Sequence, residues 1–185
     1  MKILGISGSL RSDSYNSALL AAAAELFPED AELEAYDGLK SVPPYDEDDD
    51  VDPAPAAVAR LRDALAGADA VLFATPEYNS SIPGQLKNAV DWASRPIATN
   101  VLRNKPVAVV GASTGAFGAV WAQAELRKVL AATGARVVQG EVAVGHAPER
   151  FDGKRRLDDG ALLEQLQEVV DTLYGEVLAR ERVAA

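Results

Sequence analysis

The chain has no cysteine and a single histidine, His146. The first absence excludes disulfides, thiolate metal ligands and thiol redox chemistry. The second leaves little for a transition-metal site or a Ser-His-Asp triad. Positive charge is also scarce, with 18 Lys and Arg against 28 Asp and Glu and a formal net charge of −10. A nucleic-acid or anionic-membrane surface needs a clustered basic face, so both partners are excluded. No apolar run approaches the roughly 20 residues that span a bilayer. Met1-Lys2 leads straight into a strand-like segment rather than a secretory leader, and a cytoplasmic location is expected. What remains is an ordinary composition, 48% hydrophobic and 25% charged over 185 residues, read as one domain over 1–185. If this is an enzyme, a bound cofactor carries the chemistry.

The most informative stretch opens the chain. Ile3, Leu4 and Ile6 form a short apolar run that breaks into hydroxyls, Arg11 and Asn16, and an Ala- and Leu-rich helix then begins at about Ala18. A strand, a polar loop and a helix N-terminus make an anion cradle, because the first helical turn leaves N–H groups unpaired and carries partial positive charge. Ser9, Ser14, Asn16 and Ser17 can add side-chain donors, and Arg11 a fixed fork of charge. No Gly-Lys-Ser/Thr follows and no Gly-x-Gly-x-x-Gly is present, so a mononucleotide phosphate fits better than a triphosphate or a dinucleotide. The same serines serve equally well as a helix cap and turns with no ligand at all.

The rest alternates between strand and helix. Residues 31–36 read as a second strand, followed by a loop through Pro43-Pro44-Tyr45, where Tyr45 can line a substrate mouth, and the acidic run Asp46 to Asp50, expected to stay solvated and mobile. Pro53 and Pro55 open a helix with Val58, Leu61 and Leu65 on one face and Gly67 as its stop. Residues 70–75 and 106–112 are apolar throughout, the pattern of strands buried on both faces of a parallel sheet. Helices follow at 85–93 and around Leu126, Val129 and Leu130. Residues 136–144 form a fifth strand, and 146–158 a charged loop whose Arg150, Lys154, Arg155 and Arg156 are read as a solvated surface rather than a 2′-phosphate site. The closing helix carries Leu163, Leu166, Val170, Leu173 and Val177.

Five strands alternating with five helices predict a doubly wound α/β domain, a five-stranded parallel sheet with helices on both faces. In the flavodoxin-like order 2-1-3-4-5, ligands bind at the carboxyl ends of the strands beside the reversal between the first and third. Three polar loops follow strands one, three and four, which are neighbours in that order. The first can hold a phosphate, the second presents Tyr78 and Asn79 between Pro76 and Pro83, and the third has glycines that let backbone approach a flat surface. A phosphate tail with a wide planar head is the shape of flavin mononucleotide (FMN).

Three motifs resemble the NADPH-dependent FMN reductase family: Gly8-Ser9-Leu10-Arg11-x-x-Ser14-x-Asn16, then Pro76-Glu77-Tyr78-Asn79-x-Ser81-x-Pro83-Gly84-x-Leu86-Lys87-Asn88-Ala89-Val90-Asp91-Trp92, then Ser113-x-Gly115-x-x-Gly118. The resemblance implies that Ser9, Arg11, Ser14, Tyr15, Asn16 and Ser17 hold the FMN phosphate. It implies that Pro76, Glu77, Tyr78 and Asn79 border the ring, and that Ser113, Thr114 and Gly115 close its other edge. NADPH or NADH would be the electron donor and a quinone-like, azo, metal-oxyanion or free-flavin compound the acceptor, with no protein catalytic group and no metal. An FMN electron carrier of the flavodoxin type is the alternative. Glu77 is read as a loop-fixing residue in preference to an acid–base group. A homodimer or homotetramer is expected, with the helix at 85–93 in the interface; Trp92 and Trp121 are read either as ordinary packing or, more sharply, as contacts in an oligomer interface.

Overall fold

The computed structural model describes residues 1–184. The strands are β1 (Lys2–Ser7), β2 (Glu32–Ala35), β3 (Ala70–Thr75), β4 (Pro106–Ala112), β5 (Arg136–Val137) and β6 (Ala143–Val144). The helices are α1 (Tyr15–Ala24), α2 (Ala56–Ala66), α3 (Gly84–Ala93), α4 (Val120–Ala132), the single turn α5 (Ala147–Arg150) and α6 (Gly160–Ala184). All strand pairs are parallel, in the order β2-β1-β3-β4-β5, with β6 also on β4. This is the flavodoxin-like order, with its reversal between β1 and β3.

Every residue of β3 and β4 is buried, as their unbroken apolar character requires. Alternate side chains feed two cores. Leu4, Ile6, Val71, Phe73, Val107 and Val109 pack with α2, α3 and α4, whereas Ile3, Leu72, Ala74, Ala108 and Val110 pack with α1 and α6. Each fully buried Leu or Val on these faces contributes roughly 1.5–3 kcal/mol from apolar surface withdrawn from water.

Four expectations are corrected. The fifth strand is not continuous: Pro106 and Val107 pair with Arg136 and Val137, Gly111 and Ala112 with Ala143 and Val144, and the chain between departs from the ladder with Gly140 at φ +130°. Side chains from α4 fill the gap. Arg127 donates to the carbonyls of Val109 (2.9 Å) and Gly140 (2.8 Å), and Gln123 to those of Gly118 (3.0 Å) and Val142 (3.1 Å). Trp92 is core, fully buried, with its indole N–H on the Pro43 carbonyl at 2.8 Å. Tyr45 packs edge-on against Trp92, with ring centroids 4.9 Å apart, and so lies with the α2–α3 layer instead of a substrate mouth. The acidic run is partly engaged, because Asp46 caps a short 3-10 turn and Asp50 pairs with Arg62 at 2.9 Å.

Candidate functional site

The loops after β1, β3 and β4 meet at the carboxyl ends of the strands around an open cleft of about 260 Å³. Ser9, Arg11, Ser14, Tyr15 and Asn16 line it from the first loop, Pro76, Glu77 and Tyr78 from the second, and Ala112, Ser113 and Thr114 from the third. Asn79 and Gly115 lie in the same loops and Ser17 in the first turn of α1, all three outside that lining.

The first helix starts at Tyr15, three residues earlier than the sequence suggests, because Ser14 is its N-cap. The Ser14 hydroxyl accepts from the N–H groups of Asn16 (3.1 Å) and Ser17 (3.3 Å). The Asn16 side chain, which lines the cleft, is also engaged within the protein. It is buried, its side-chain amide donates to the Ala112 carbonyl at 3.0 Å, and its oxygen accepts from the Ala112 N–H at 2.9 Å. The side chain thus continues the β4 ladder and ties the first loop to the third. Gly8 fixes the other side, since a Cβ there would lie 2.8 Å from Leu86 Cδ2 and 3.3 Å from Pro76. Arg11 is exposed and lies over the Tyr15 ring at 5.7 Å; among the described residues no carboxylate pairs with it. An unpaired guanidinium beside a helix N-terminus, in a chain of net charge −10, is suited to an anion.

The second loop is a two-residue turn. Tyr78 and Ser81 exchange backbone hydrogen bonds of 3.0 and 3.1 Å, and both central residues are left-handed, Asn79 at φ +53° and Ser80 at φ +59°. This is a type I′ turn, which favours Asn followed by Gly, so Asn79 is there for its backbone conformation. Ser80→Gly is expected to raise stability by about 0.5–1 kcal/mol and the unfolding midpoint by about 1–4 °C in a thermal melt.

Two carboxylates bind this loop to α4. Glu77 accepts from the N–H groups of Trp121 and Ala122, both at 3.1 Å, capping a helix whose own N-cap, Ala119, has no side-chain oxygen. In return Glu125 accepts from the Ser81 hydroxyl at 2.6 Å and the Ile82 N–H at 3.3 Å. Glu77 is therefore engaged as a hydrogen-bonding residue. Glu125 escaped the sequence reading because nothing local marks one acid on a charged helix; its four-residue spacing from Trp121, on the same face of α4, was the available signal.

The third loop is pinned from behind. Ala147 N–H donates to Ser113 O at 3.0 Å, His146 N–H to Gly115 O at 2.9 Å, and Gly115 N–H to the Ser113 hydroxyl at 3.1 Å. Gly118, at φ +57°, is in contact that admits no side chain, because a Cβ would sit 2.3 Å from the Ala143 carbonyl carbon. Tyr78, which lines the cleft, is exposed (54%), as are Phe117 (63%) in the third loop and Trp121 (48%) at the start of α4, the last two with centroids 5.0 Å apart. The basic loop is exposed at Arg150, Lys154 and Arg156, as expected, with ion pairs along its surface. Arg150 pairs with Asp159 and Arg156 with Asp152, at 2.8 and 2.7 Å, and Arg155 reaches Asp13.

Residues 1–149 match the profile of the NADPH-dependent FMN reductase family. The chain belongs to that family. Among similar proteins is an NAD(P)H-dependent FMN reductase of Pseudomonas aeruginosa, 45% identical over 94% of this chain and 93% of its own length. A 2-hydroxy-1,4-benzoquinone reductase of a Burkholderia species is 39% identical over 92% of this chain and 93% of its own. Among solved structures, the flavoenzyme NAD(P)H:(acceptor) oxidoreductase of Paracoccus denitrificans superposes with a TM-score of 0.84, at 34% identity, over 96% of this chain and 97% of that one. The family's cofactor fits the cleft on its own chemistry. A guanidinium that no carboxylate among the described residues pairs with stands at the α1 end, and the uncharged Ala112, Ser113 and Thr114 lie opposite. Among the described residues no His, Cys, Asp and Glu cluster is suited to a metal, and no helix is long and apolar enough to cross a membrane.

Proposed function

We propose that this family member oxidises NADPH or NADH and delivers the electrons to a small-molecule acceptor of the quinone, azo, metal-oxyanion or free-flavin class, with FMN seated in the cleft. When bound, FMN supplies the hydride and electron chemistry, which is why the chain needs neither thiol nor imidazole. Arg11 neutralises the phosphate, and the Ser9 and Ser14 hydroxyls adjust to it. Pro76, Glu77, Tyr78 and Asn79 form a stiff border for the ring, with Glu77 acting through its bonds to α4. Ser113, Thr114 and Gly115 offer backbone groups along the opposite side. The open mouth of the cleft admits donor and acceptor in turn. The unpaired Arg11 at the switch point of the sheet is the observation that carries this reading.

The test is the anaerobic visible spectrum of protein reconstituted with FMN and desalted, before and after NADPH. Retained flavin that bleaches is expected. Retained flavin that stays oxidised with NADPH and with NADH would overturn the enzymatic reading. We also propose a homodimer, or a dimer of dimers, in the cytosol. The exposed Phe117–Trp121 pair supports a contact at the start of α4, since aromatics are enriched in interface cores. A monomeric mass in sedimentation equilibrium would contradict it.

A further inference from the structure

Residues 151–157 form a small self-held loop whose tip leans on the phosphate end of the cleft. Phe151 and Leu157 pair as a bridge, and Asp152 N–H donates to Arg156 O at 2.9 Å. The Asp152 carboxylate accepts from the N–H groups of Lys154 (2.8 Å) and Arg156 (2.9 Å) and from the Arg156 guanidinium (2.9 Å). Those bonds, the Arg156 N–H first among them, hold the Asp152 carboxyl below its ordinary range. At the tip Arg155 is left-handed, with φ +60°, a conformation non-glycine residues keep only where the surroundings fix it.

From that position the Arg155 guanidinium donates to the Asp13 carbonyl, meets the Asp13 carboxylate at 3.5 Å and lies 5.4 Å over the Tyr15 ring. Arg11 lies over the same ring. Tyr15 also touches Phe151, with centroids 5.3 Å apart. Residues 10–13 are exposed, so little else packs this part of the loop. It carries a liability as well, because Asp13, adjacent to the cap residue Ser14, puts a negative charge beside the place where a phosphate dianion would arrive.

We propose that Arg155 is a positioning residue for the flavin phosphate. It holds the Asp13 carboxylate in an ion pair, masking the repulsion, and it pre-orders the Leu10 to Asp13 segment so that Arg11 and the Ser14 cap are already in place. This rests on the reading of the cleft as an FMN site. It assigns a role to a residue outside the 149 positions that match the family profile.

The experiment compares FMN with riboflavin, which lacks the phosphate, by fluorescence titration of flavin-free protein. Wild type, Arg155→Ala, Asp13→Asn and the double variant are titrated, and backbone amide exchange is followed in the flavin-free state. Arg155→Ala is expected to weaken FMN about tenfold, the order of one lost charge-assisted contact, and to leave riboflavin unchanged. Amides of residues 10–16 should exchange faster, and adding Asp13→Asn should recover most of the lost FMN affinity. Unchanged FMN affinity, an equal loss for both flavins, or no recovery by Asp13→Asn would overturn the proposal. Wild type that binds riboflavin as tightly as FMN would instead overturn the phosphate-end reading itself. A wild-type preference for FMN over riboflavin that Arg155→Ala leaves undiminished would overturn this inference alone.

Discussion

Arg11→Ala is expected to weaken FMN binding by about ten- to a hundredfold while riboflavin binding holds. A hydrogen bond to a charged group contributes about 1.5–3 kcal/mol, and each 1.4 kcal/mol is about a factor of ten in affinity. Among the described residues no carboxylate pairs with Arg11, so its charge is available to the ligand. Because the side chain is exposed, part of the effect should fade as salt rises and screens the pair. A titration of flavin-free Arg11→Ala checks this, and FMN affinity equal to wild type would remove the phosphate from this end of the cleft. The loss should appear in affinity and leave the unfolding midpoint of the flavin-free protein nearly unmoved, because the side chain is exposed and lies over the Tyr15 ring.

Asn16→Ala should do the reverse. Its side chain is 3% exposed and satisfies both backbone groups of Ala112, itself 2% exposed. Truncation leaves a buried N–H and a buried C=O without partners, each costing about 1–3 kcal/mol. A loss of about 3 kcal/mol is expected in urea unfolding of the flavin-free protein, or about 6–12 °C in the melting midpoint. Asn16→Asp should be worse near neutral pH, since a carboxylate can accept from Ala112 N–H but cannot donate to its carbonyl, and the charge is buried. Burial would raise that carboxyl's folded-state pKa above its unfolded value. The variant should therefore recover part of its stability as pH falls through the raised value and the group becomes neutral. A wild-type melting curve for Asn16→Ala would show that the tie to β4 is dispensable.

These two neighbours of one motif illustrate what the sequence could and could not reveal. Periodicity made β3 and β4 plain, because a strand buried on both faces has nowhere to put a polar residue, and alternation with helices gave the doubly wound parallel sheet, whose order was read from its likeness to flavodoxin. The three loops were legible as one site for the same topological reason. The use of each polar side chain was not legible, since it depends on a partner far along the chain. Asn16 is claimed by Ala112, 96 residues away, and Glu125 by Ser81, 44 residues away. Residues 136–144 read as one strand because Val137, Val138, Val142 and Val144 are apolar; Gly140 and the reach of Arg127 from α4 decide otherwise. Trp92 had the composition of an interface residue and the burial of a core one. Arg155 stands among four basic residues of one loop that separate only in space, where Arg150, Arg155 and Arg156 each find an acid.

The interrupted strand has a consequence for how copies of this protein meet. A sheet can recruit a further strand only along a row of free amides and carbonyls. On the outer flank of β4 there are instead two two-residue pieces, parted by the swing at Gly140, with a guanidinium already bonded across the gap. The opposite margin, β2, is four residues long and carries Glu32 and exposed Glu34, the latter bound to Lys2 at 2.8 Å. Short, charged or kinked margins resist templated pairing and the amyloid-like stacking that follows from it. Association between copies is thereby steered away from a continuous intermolecular sheet and onto helices and loops, the surfaces that surround the cleft.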